Sequence, residues 1–553
     1  MADNIKPLTE YQNLFFAFES VADRYPNQTA FKADGGWGQS YSYKDVKGLI
    51  IEMANGLNSK SFKDCQEIGL LAENRPEWGI AYLGIIASGK TVVPIDVNLK
   101  ETEINYLINH ANIKVIFTVD KFIPLITKKR KIEIFTFDDN SKTSWRNLLS
   151  TNNQPLGSAF NKVAALIYTS GTTGNPKAVE LTHNNILSNL EQICSSLTFT
   201  QNDIFLSLLP LHHTLETTCG LLTPLMSGAT IIYARSLKSK NILEDIKNNK
   251  VTIMLGVPLL FEKMYNSIKK GVANVSWGKR SIFNFMFFIT GLGWNFKFKW
   301  GKLLFKKLRE KVGLGSLRMF VSGGAPLPPY ISCFFNYLGF DFLQGYGMTE
   351  CSPVISVNQP ENIKFGSVGP LLNNVEIKIN NPDENGVGEI LVKGGNVTFG
   401  YRDNPEETKK LFQDGWLCTG DLGYFDKGHL WITGRKKNLI ISAAGKNIYP
   451  EQIEEKLMES DYILEAIVLS RKKENKQGEE VYAIIVPNME LMERDSNITI
   501  KTPDMKKIRK IMEEEIAQIN NQMAAFKRIS NFDIQLNELE KTSTKKVKRF
   551  LYR

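Results

Sequence analysis

Residues 168–177 read Tyr-Thr-Ser-Gly-Thr-Thr-Gly-Asn-Pro-Lys, and they directly follow the buried-strand run Val163 to Tyr168. The two glycines, Gly171 and Gly174, let the backbone approach phosphate oxygens closely. The side chains that add hydroxyl or ammonium donors are Thr169, Ser170, Thr172, Thr173 and Lys177. Such donors suit the charged oxygens of a polyphosphate. The stretch therefore predicts a phosphate-binding loop at the end of a strand.

The chain around this loop repeatedly passes from a short β-branched run to an amphipathic stretch, from about residue 30 to 340. Strands that alternate with helices indicate mainly parallel sheets with crossover helices. The runs are Thr91 to Ile95, Val115 to Val119, Val163 to Tyr168, Thr230 to Tyr233 and Met319 to Ser322. The predicted fold class is α/β, with parallel α/β sheets in a large N-terminal domain.

The pattern changes after residue 365, where apolar and polar residues alternate over 375–379 and again near 390–392. A period of two interrupted by a turn predicts a hairpin, here within a small β-barrel-like subdomain at about 355–436. Further strands near 466–470 and 481–486 and a helix near 506–522 lie beyond it. We expect a large domain at 1–436 and a small mobile α+β C-terminal domain at 437–553.

The composition is that of an ordinary globular protein, with 553 residues of which 42% are hydrophobic and 23% charged. Six scattered cysteines indicate neither a zinc site nor a disulfide framework, and they fit a reducing cytosol. The N-terminus has no export pattern, and the longest apolar stretch, 282–294, is shorter than the roughly 20 residues that cross a bilayer. We therefore expect a cytoplasmic protein. Its net charge of +10 suits phosphate ligands or anionic lipid.

A second glycine motif, Gly84 to Thr91, satisfies the spacing of a nucleotide-binding P-loop. Its context is reversed, because the helix-like stretch 77–87 precedes it and the strand-like run 91–95 follows it. A P-loop leaves a strand and opens a helix, since the phosphates bind at the helix N-terminus. We therefore interpret this motif as a glycine that closes a helix.

The loop at 168–177 and several later motifs closely resemble the adenylate-forming superfamily of acyl-CoA synthetases, adenylation domains and luciferases. Ser322-Gly-Gly-Ala-Pro-Leu327 resembles the family's adenine-side loop, and Gln344-Gly-Tyr-Gly-Met-Thr-Glu350 resembles its Gly-Tyr-Gly-x-Thr-Glu motif. The resemblance implies that Tyr346 stacks on adenine, Thr349 contacts the nucleotide and Glu350 holds Mg²⁺. Nucleotide contacts are also implied for Gly323, Gly324, Ala325, Gln344, Gly345, Gly347 and Met348, beside the loop residues Thr169 to Gly174 and Lys177.

Three further motifs complete the resemblance. Thr419-Gly-Asp421 matches the motif whose carboxylate accepts the ribose hydroxyls, Arg435 would add a second ribose contact, and Lys437 maps onto the hinge between the domains. Leu209-Pro-Leu-His-His-Thr-Leu-Glu216 resembles the Pro-Leu-x-His-x-x-Glu pattern of the long-chain fatty-acid branch, which places His213 near the carboxylate to be activated. A histidine satisfied in the core is the alternative interpretation.

The C-terminal motif reads Glu540-Lys-Thr-Ser-Thr-Lys-Lys-Val-Lys-Arg549, with Glu540 and Lys545 in place of the family's proline and glycine. Its register selects Lys546, rather than the neighbouring Lys545, as the lysine that enters the site during adenylation. A solvated lysine run is the alternative. The residues that the resemblance assigns to catalysis are Thr169, His213, Glu350 and Lys546.

The resemblance implies a ligase with ATP, Mg²⁺ and coenzyme A. A long-chain fatty acid attacks the α-phosphorus of ATP, pyrophosphate leaves, and the acyl adenylate then meets a thiol. In the family the small domain rotates about the hinge between these steps and brings the segment at 441–445 to the pantetheine channel. Two alternatives stay open, namely acyl carrier protein as the acceptor and a nucleotide-binding module without catalysis.

Residues 279–311 combine nine basic residues with one acid, Glu310, and they are rich in phenylalanine and tryptophan. Basic residues interleaved with aromatic residues suit an interfacial helix on anionic lipid, which predicts peripheral contact with the cytoplasmic face of a membrane. The alternative is that the aromatic rings pack on the large domain and form the acyl tunnel. We expect no nucleic-acid partner, because the bases alternate with too many apolar rings for a solvated groove.

Overall fold

The computed structural model describes residues 6–32, 39–59, 61–127, 131–138, 141–151, 162–169, 176–442, 445–472, 479–496, 498, 503–541 and 547–552. Within these ranges the chain forms two compact units, one of residues 1–376 and 392–417, the other of residues 377–391 and 418–553. The predicted boundary at 436/437 concerns a functional hinge and stays a prediction.

The strands, in chain order, are β1 (Thr29–Lys32), β2 (Tyr41–Ser42), β3 (Glu67–Leu71), β4 (Thr91–Pro94), β5 (Val115–Thr118), β6 (Glu133–Thr136), β7 (Val163–Thr169), β8 (Lys177–Thr182), β9 (Ile204–Ser207), β10 (Thr230–Tyr233), β11 (Ile253–Gly256), β12 (Met319–Ser322), β13 (Asp341–Gly347), β14 (Val354–Val357), β15 (Val375–Asn380), β16 (Gly388–Gly394), β17 (Phe412–Gln413), β18 (Trp416–Asp426), β19 (His429–Arg435), β20 (Ile440–Ile441), β21 (Asn447–Ile448), β22 (Ile463–Lys472), β23 (Glu479–Pro487) and β24 (Asn531–Ile534).

The helices are α1 (Leu14–Arg24), α2 (Tyr43–Leu57), α3 (Pro76–Ala87), α4 (Glu101–His110), α5 (His183–Ser196), α6 (Thr223–Met226), α7 (Ser239–Asn249), α8 (Pro258–Ala273), α9 (Trp277–Asn295), α10 (Gly301–Leu304), α11 (Lys306–Lys311), α12 (Pro329–Tyr337), α13 (Pro405–Leu411), α14 (Pro450–Leu457), α15 (Met489–Ser496) and α16 (Met505–Asn521). A π-helical segment, Glu216–Leu222, precedes α6.

Two large sheets build the first unit. A six-stranded sheet has the order β6-β5-β3-β4-β7-β8 and is parallel except for β8, which runs antiparallel to β7. An eight-stranded sheet has the order β14-β13-β12-β11-β9-β10-β1-β2, with antiparallel strands only at its two edges. The predicted parallel α/β fold is therefore confirmed. Its buried strands are continuous apolar runs because helices cover parallel sheets on both faces.

One continuous core joins these sheets to the first three helices. Phe18 of α1, Tyr43 of α2 and Trp78 of α3 are fully buried in a cluster that also contains Phe31 of β1 and Phe117 of β5. Spacing of three and four residues brings the apolar side chains of α1 to one face, and Asn13 caps its first turn by accepting a hydrogen bond from Phe16 N.

The later part of the chain changes mainly to antiparallel pairing, as expected, although β23 and β24 are parallel. β15, β16, β18 and β17 are successive neighbours in a five-stranded sheet, and β19 pairs antiparallel with β18. In the C-terminal region β20 pairs with β21, and β22, β23 and β24 form a three-stranded sheet. Buried residues of α14 and α16 share an apolar core with β22 and β23, which gives this region its α+β character.

The P-loop-like motif at 84–91 closes helix α3, as the sequence context indicated. Gly89 has φ 78°, and its N–H and that of Lys90 donate hydrogen bonds to the last carbonyls of α3. Lys90 is buried, and its Nζ donates to the Phe62 carbonyl at 3.1 Å.

Candidate active site

The two motifs assigned to adenine lie at one edge of the eight-stranded sheet. β12 and β13 are parallel neighbours with Ser322 opposite Gln344, so the loop after β12 and the Gly-Tyr-Gly stretch meet at the carboxyl ends of the strands. Ligands of open α/β sheets bind at that edge. Gly347 is required here, because a Cβ atom at this position would lie 1.9 Å from the Pro353 carbonyl oxygen.

The motif at 209–216 reaches the same edge. A Cβ atom on Gly323 would lie 3.3 Å from a methyl group of Leu215, and the Thr214 and Thr349 hydroxyls are 3.4 Å apart. His213 is half-buried on this segment, where its Nδ1 accepts a hydrogen bond from Leu215 N at 3.4 Å. The structure therefore brings the histidine motif, the adenine-side loop and the Gly-Tyr-Gly-x-Thr-Glu motif together within the first unit.

The buried carboxyl group of Glu216 and its hydrogen-bond partners position the histidine segment 209–216. Glu216 is fully buried, and the Ser207 hydroxyl donates to its Oε1 at 2.6 Å. Burial raises the pKa of Glu216 to about 8. Asn74 donates to Ser207 Oγ at 3.0 Å and to the Leu209 carbonyl at 2.6 Å, so this network fixes the start of the segment. The neighbouring His212, which the sequence left without a role, pairs with Asp96 at 3.3 Å.

Glu350 is held by a tyrosine that sequence reasoning missed. The Glu350 side chain is buried, and Tyr401 Oη donates a hydrogen bond to its Oε1 at 2.8 Å. Burial, followed by the charge of Glu350, raises the pKa of Tyr401, so the phenol stays protonated and remains a donor. Tyr401 reaches this position because Val179 and Tyr401 form an antiparallel bridge along β8.

The phosphate-loop prediction falls partly outside the described residues. Ser170, Gly171, Thr172, Thr173 and Gly174 are not described, whereas Thr169 ends β7 and Lys177 begins β8. These two residues pair across the ladder, and Thr169 Oγ lies 3.4 Å from the Lys177 carbonyl. The described ends of the loop are therefore side by side.

Lys177 lies beside the tyrosine that holds Glu350. Its Nζ is 5.3 Å from the Tyr401 ring centroid and forms an ion pair with Glu407, the first-turn residue of α13. Hydrogen bonding to Lys177 is the main reason that the pKa of Glu407 is lowered to about 2. Tyr401 thus links two motifs that are far apart in the sequence. The local signal that was available is the helix start at Asn404-Pro405, which places Glu407 in the first turn of α13.

Arg402 and Thr398 hold the segment 398–402, which contains Tyr401, against neighbouring strands. It forms ion pairs with Glu67 of β3 and with Glu180 of β8, and the Thr398 hydroxyl donates to the Glu180 carbonyl. Thr398 N also donates to the Glu350 carbonyl at 2.8 Å. Residues 398–402 therefore connect β8 to the backbone of Glu350 through hydrogen bonds and an ion pair.

The second unit holds the residues assigned to ribose. Asp421 is buried on β18, opposite Arg435 of β19, and Arg435 Nε is 2.9 Å from Asp421 Oδ1. Gly420, with φ 70°, permits the turn of backbone just before the aspartate. Lys437 is exposed in the short turn Lys436–Asn438 between β19 and β20.

The C-terminal lysine Lys546 lies outside the described residues, as does Lys545. The residues on either side are well anchored in the second unit. Lys541 and Val547 form an antiparallel bridge, Lys541 pairs with Glu465, and Arg549 pairs with Glu454. Burial raises the pKa of Glu454 to about 7, although Arg549 opposes that effect.

A cleft of about 720 Å³ lies next to the histidine motif in the first unit. It is bordered by the carboxyl ends of strands from both large sheets, and its walls include Asn74, Arg75, Asn98, Ser207 and His212. Many of the residues that line the cleft are polar.

Within the described ranges, no group of three or more His, Cys, Asp or Glu side chains is arranged so that it could hold a metal ion. No helix in the described part of the chain is both long enough and apolar enough to cross a membrane.

The profile of the AMP-binding enzyme family matches residues 18–402. The chain therefore belongs to this family, which confirms the resemblance that the motifs indicated. It is an AMP-forming acid–thiol ligase by its family and its curated relatives.

Curated relatives cover most of the chain. It is 31% identical over 504 residues to human long-chain-fatty-acid–CoA ligase 1, covering 82% of this chain and 70% of that one. It is 29% identical over 480 residues to long-chain-fatty-acid–CoA ligase FadD15 of Mycobacterium bovis, covering 80% and 76%. It is 28% identical over 571 residues to the chloroplastic long-chain-fatty-acid–[acyl-carrier-protein] ligase AEE15 of Arabidopsis thaliana, covering 85% and 76%.

Solved structures share the fold over nearly the whole chain. ATP-bound MatB from Rhodopseudomonas palustris is 24% identical with a TM-score of 0.76, and the match covers 98% of each chain. The anthranilate CoA ligase AuaEII, solved with anthranoyl-AMP, is 22% identical with a TM-score of 0.77, and the match covers 100% of this chain and 98% of that one. At these identities the comparison establishes the architecture.

Proposed function

We propose that this ligase activates a long-chain fatty acid to acyl-AMP with release of pyrophosphate and transfers the acyl group to the thiol of coenzyme A in the cytoplasm. The observation that carries the proposal is the position of Tyr401, which donates a hydrogen bond to the Glu350 carboxylate and has the Lys177 ammonium group 5.3 Å from its ring centroid. The Glu350 carboxylate, a hard oxygen ligand, and the Lys177 ammonium group, a cation suited to phosphate, therefore both lie next to Tyr401. A nucleoside triphosphate with its metal ion requires both kinds of group.

The substrate and the acceptor are inferred from the relatives. Two of the relatives named above are long-chain-fatty-acid–CoA ligases, and the histidine motif follows the pattern of the long-chain branch. Acyl carrier protein is the second candidate acceptor, because one relative of similar identity is a ligase to that carrier. A basic chain would also attract an acidic carrier.

In the first half-reaction a carboxylate oxygen forms a bond to the α-phosphorus, and the bond from that phosphorus to the oxygen shared with the β-phosphorus breaks. The electron pair leaves with pyrophosphate. Lys177 and the hydroxyls and N–H groups of residues 169–174 would neutralise the phosphate oxygens as charge moves. The half-buried His213 would orient the carboxylate of the acid, and Lys546 would enter for this step.

Glu350 fits the Mg²⁺ that the family implies. Mg²⁺ in nucleotide sites takes one or two carboxylates together with substrate phosphates and water, and the single buried carboxylate of Glu350 meets that need. When bound, the ion supplies charge neutralisation at the phosphates. Tyr401 donates a hydrogen bond to Oε1 of Glu350, so Oε2 would be the oxygen that holds the ion.

In the second half-reaction the thiol loses its proton to solvent and its sulfur attacks the acyl carbon, and AMP leaves with the electron pair of the acyl–oxygen bond. Asp421 and Arg435 would hold the ribose of the nucleotide, and their mutual ion pair orients both groups. We propose Lys437 as the hinge for the change between the two half-reactions and residues 441–445 as part of the pantetheine channel.

An acid panel tests this function. Pyrophosphate release with acids from roughly C4 to C18 should be greatest for the long chains, because each buried methylene adds about 0.8 kcal/mol. Purified coenzyme A and acyl carrier protein, offered in turn, identify the acceptor. Failure of all acids to release pyrophosphate or to yield hydroxamate would support the non-catalytic module instead.

The proposed role of Lys546 has its own test. Lys546→Ala should lose acyl-adenylate formation and retain thioester synthesis from supplied acyl adenylate, because the lysine acts only on the phosphoryl charge. Lys545→Ala is the matched control, since it removes the neighbouring charge. Equal loss of both half-reactions in Lys546→Ala would contradict the assignment.

A further inference from the structure

Helix α9 is apolar on two opposite faces, and its inner face is tightly packed. The Phe287 ring lies 5.6 Å from Phe334 and 5.3 Å from Tyr337, whereas Trp294 stacks on Phe365 at 5.2 Å. Phe283 and Phe287 also pack against the apolar core around β11, β12 and β13. The aromatic rings of this face therefore belong to the fold of the large unit.

The outer face carries a second apolar stripe. Its side chains recur every three or four residues, which puts them on one side of a helix. They are Ile282, Phe285, Phe288 and Leu292, with Phe296 just after the helix end. Phe285 is 64% exposed and Phe296 72% exposed. A helix that is apolar all round is normally buried or bound to a membrane.

The stripe is part of a larger patch, which we call the α9 outer face. It extends through Trp277 at the start of α9 and Phe298, Trp300 and Leu303 beyond its end. More than half of the exposed large apolar side chains in the described residues lie between 275 and 303. Patches of this kind mark interaction sites.

Basic residues occur along the same segment of the chain as the α9 outer face, and they form two distinct groups. Lys299 and Lys302 bind Asp341 at 2.6 Å and 3.3 Å and anchor the segment to β13. A second group is exposed and makes no ion pair with other described residues, namely Lys279, Arg280, Lys297, Lys306, Lys307 and Lys311. Glu310 is the only acid from 275 to 311. The segment 277–311 therefore combines an exposed apolar stripe with exposed positive charge at both of its ends.

We propose that the α9 outer face docks on the surface of an anionic lipid bilayer, with the aromatic rings at headgroup level and the second basic group on the headgroups. Aromatic residues prefer the membrane interface, and each lysine near an anionic surface adds attraction. A second copy of the chain is a poor occupant, because it would bring two sets of unpaired cations together. The docking goes beyond the proposed catalytic function and does not depend on it.

Sedimentation with vesicles tests the apolar part of the patch. The full chain should bind phosphatidylcholine vesicles that contain roughly 30 mol % phosphatidylglycerol and bind vesicles without it much less. Phe285→Ser with Phe288→Ser should lower the partition coefficient at least about tenfold, because two exposed rings lose their apolar burial in the interface. Leu464→Ser with Leu536→Ser is the matched control, since both leucines are exposed elsewhere.

A charge series tests the electrostatic part. Replacement of Lys279, Arg280, Lys297, Lys306 and Lys307 by glutamine should also reduce binding at least about tenfold, and added salt should weaken the wild type by screening. Lys299 and Lys302 are left intact because they bind Asp341. The control replaces Lys63, Lys114, Lys142, Lys238 and Lys240, which are exposed on other surfaces of the same unit.

Equal partitioning of wild type and both patch variants would overturn the proposal. A second result would also overturn it. If the wild type does not bind vesicles but sediments as a dimer, and the variant Phe285→Ser with Phe288→Ser sediments as a monomer, the occupant of the patch is a second copy. Pyrophosphate release from a monomeric acid in vesicle-free buffer is the separate readout for catalysis. Vesicle binding without that release would reject the proposed function and leave the docking standing.

Discussion

Tyr401→Phe tests whether the phenol hydroxyl positions the Glu350 carboxylate. The substitution removes one 2.8 Å hydrogen bond to a buried carboxylate and keeps the aromatic ring beneath Lys177 Nζ. The cation–π contact therefore survives, and the hydroxyl alone is tested. Hydrogen bonds to charged groups contribute about 1.5–3 kcal/mol.

That free energy corresponds to a decrease of about 10- to 160-fold in kcat/KM for adenylate formation, if the whole bond is expressed in the transition state. The assay is pyrophosphate release with a long-chain acid, measured over a range of Mg²⁺ concentrations. Because the freed carboxylate is less well oriented, we expect the Mg²⁺ requirement to rise as kcat/KM falls.

Tyr482→Phe is the matched control, because Tyr482 also donates to a carboxylate, that of Asp533 in the C-terminal sheet. It should leave the Mg²⁺ dependence unchanged. Wild-type pyrophosphate release and Mg²⁺ dependence in Tyr401→Phe would refute the positioning role. An equal decrease in both variants would attribute the effect to stability rather than to Glu350.

Four further variants test three other features of the molecule. Lys177→Ala should raise the KM for ATP about tenfold or more through loss of a charged phosphate contact. Glu407→Gln keeps Lys177 and should raise that KM less; an equal rise in both variants would contradict a direct phosphate contact of Lys177. Lys90→Met should lose about 1 kcal/mol of stability with its bond to the Phe62 carbonyl, and a changed KM for ATP would contradict our interpretation of that motif. Glu216 binds a proton on folding, so wild-type stability should fall as pH rises toward its pKa of about 8; melting curves of Glu216→Gln should lack that slope.

The parallel strands could be predicted closely from the sequence. The runs Thr230 to Tyr233 and Met319 to Ser322 coincide with β10 and β12. Strands buried on both faces are continuous apolar runs with no alternation, and turn residues mark their ends. The family motifs likewise select Glu350 and Asp421 as candidate site residues, because the residues of each motif are contiguous.

The contacts around Glu350 could not be predicted in the same way. Tyr401 is 51 residues from Glu350, and Glu407 is 230 residues from Lys177. No periodic pattern in the sequence indicates either contact, since both arise where Val179 and Tyr401 form an antiparallel bridge.

The aromatic residues of α9 illustrate a related limit of pattern analysis. Rings at both helix faces are alike in composition, and only packing separates Phe287 from Phe285.

The Lys177–Glu407 ion pair bears on how the proposed phosphate site would work. Lys177 is only 20% exposed, and an unpaired ammonium group in such a place is costly. Glu407 removes that cost and stays ionised, because the pKa of its carboxyl is held at about 2. A triphosphate that takes over Lys177 would then exchange one anion for another and leave the local charge balanced. Glu407, whose side chain is 26% exposed, would then turn toward solvent. In this proposal the ion pair keeps Lys177 oriented until the nucleotide binds.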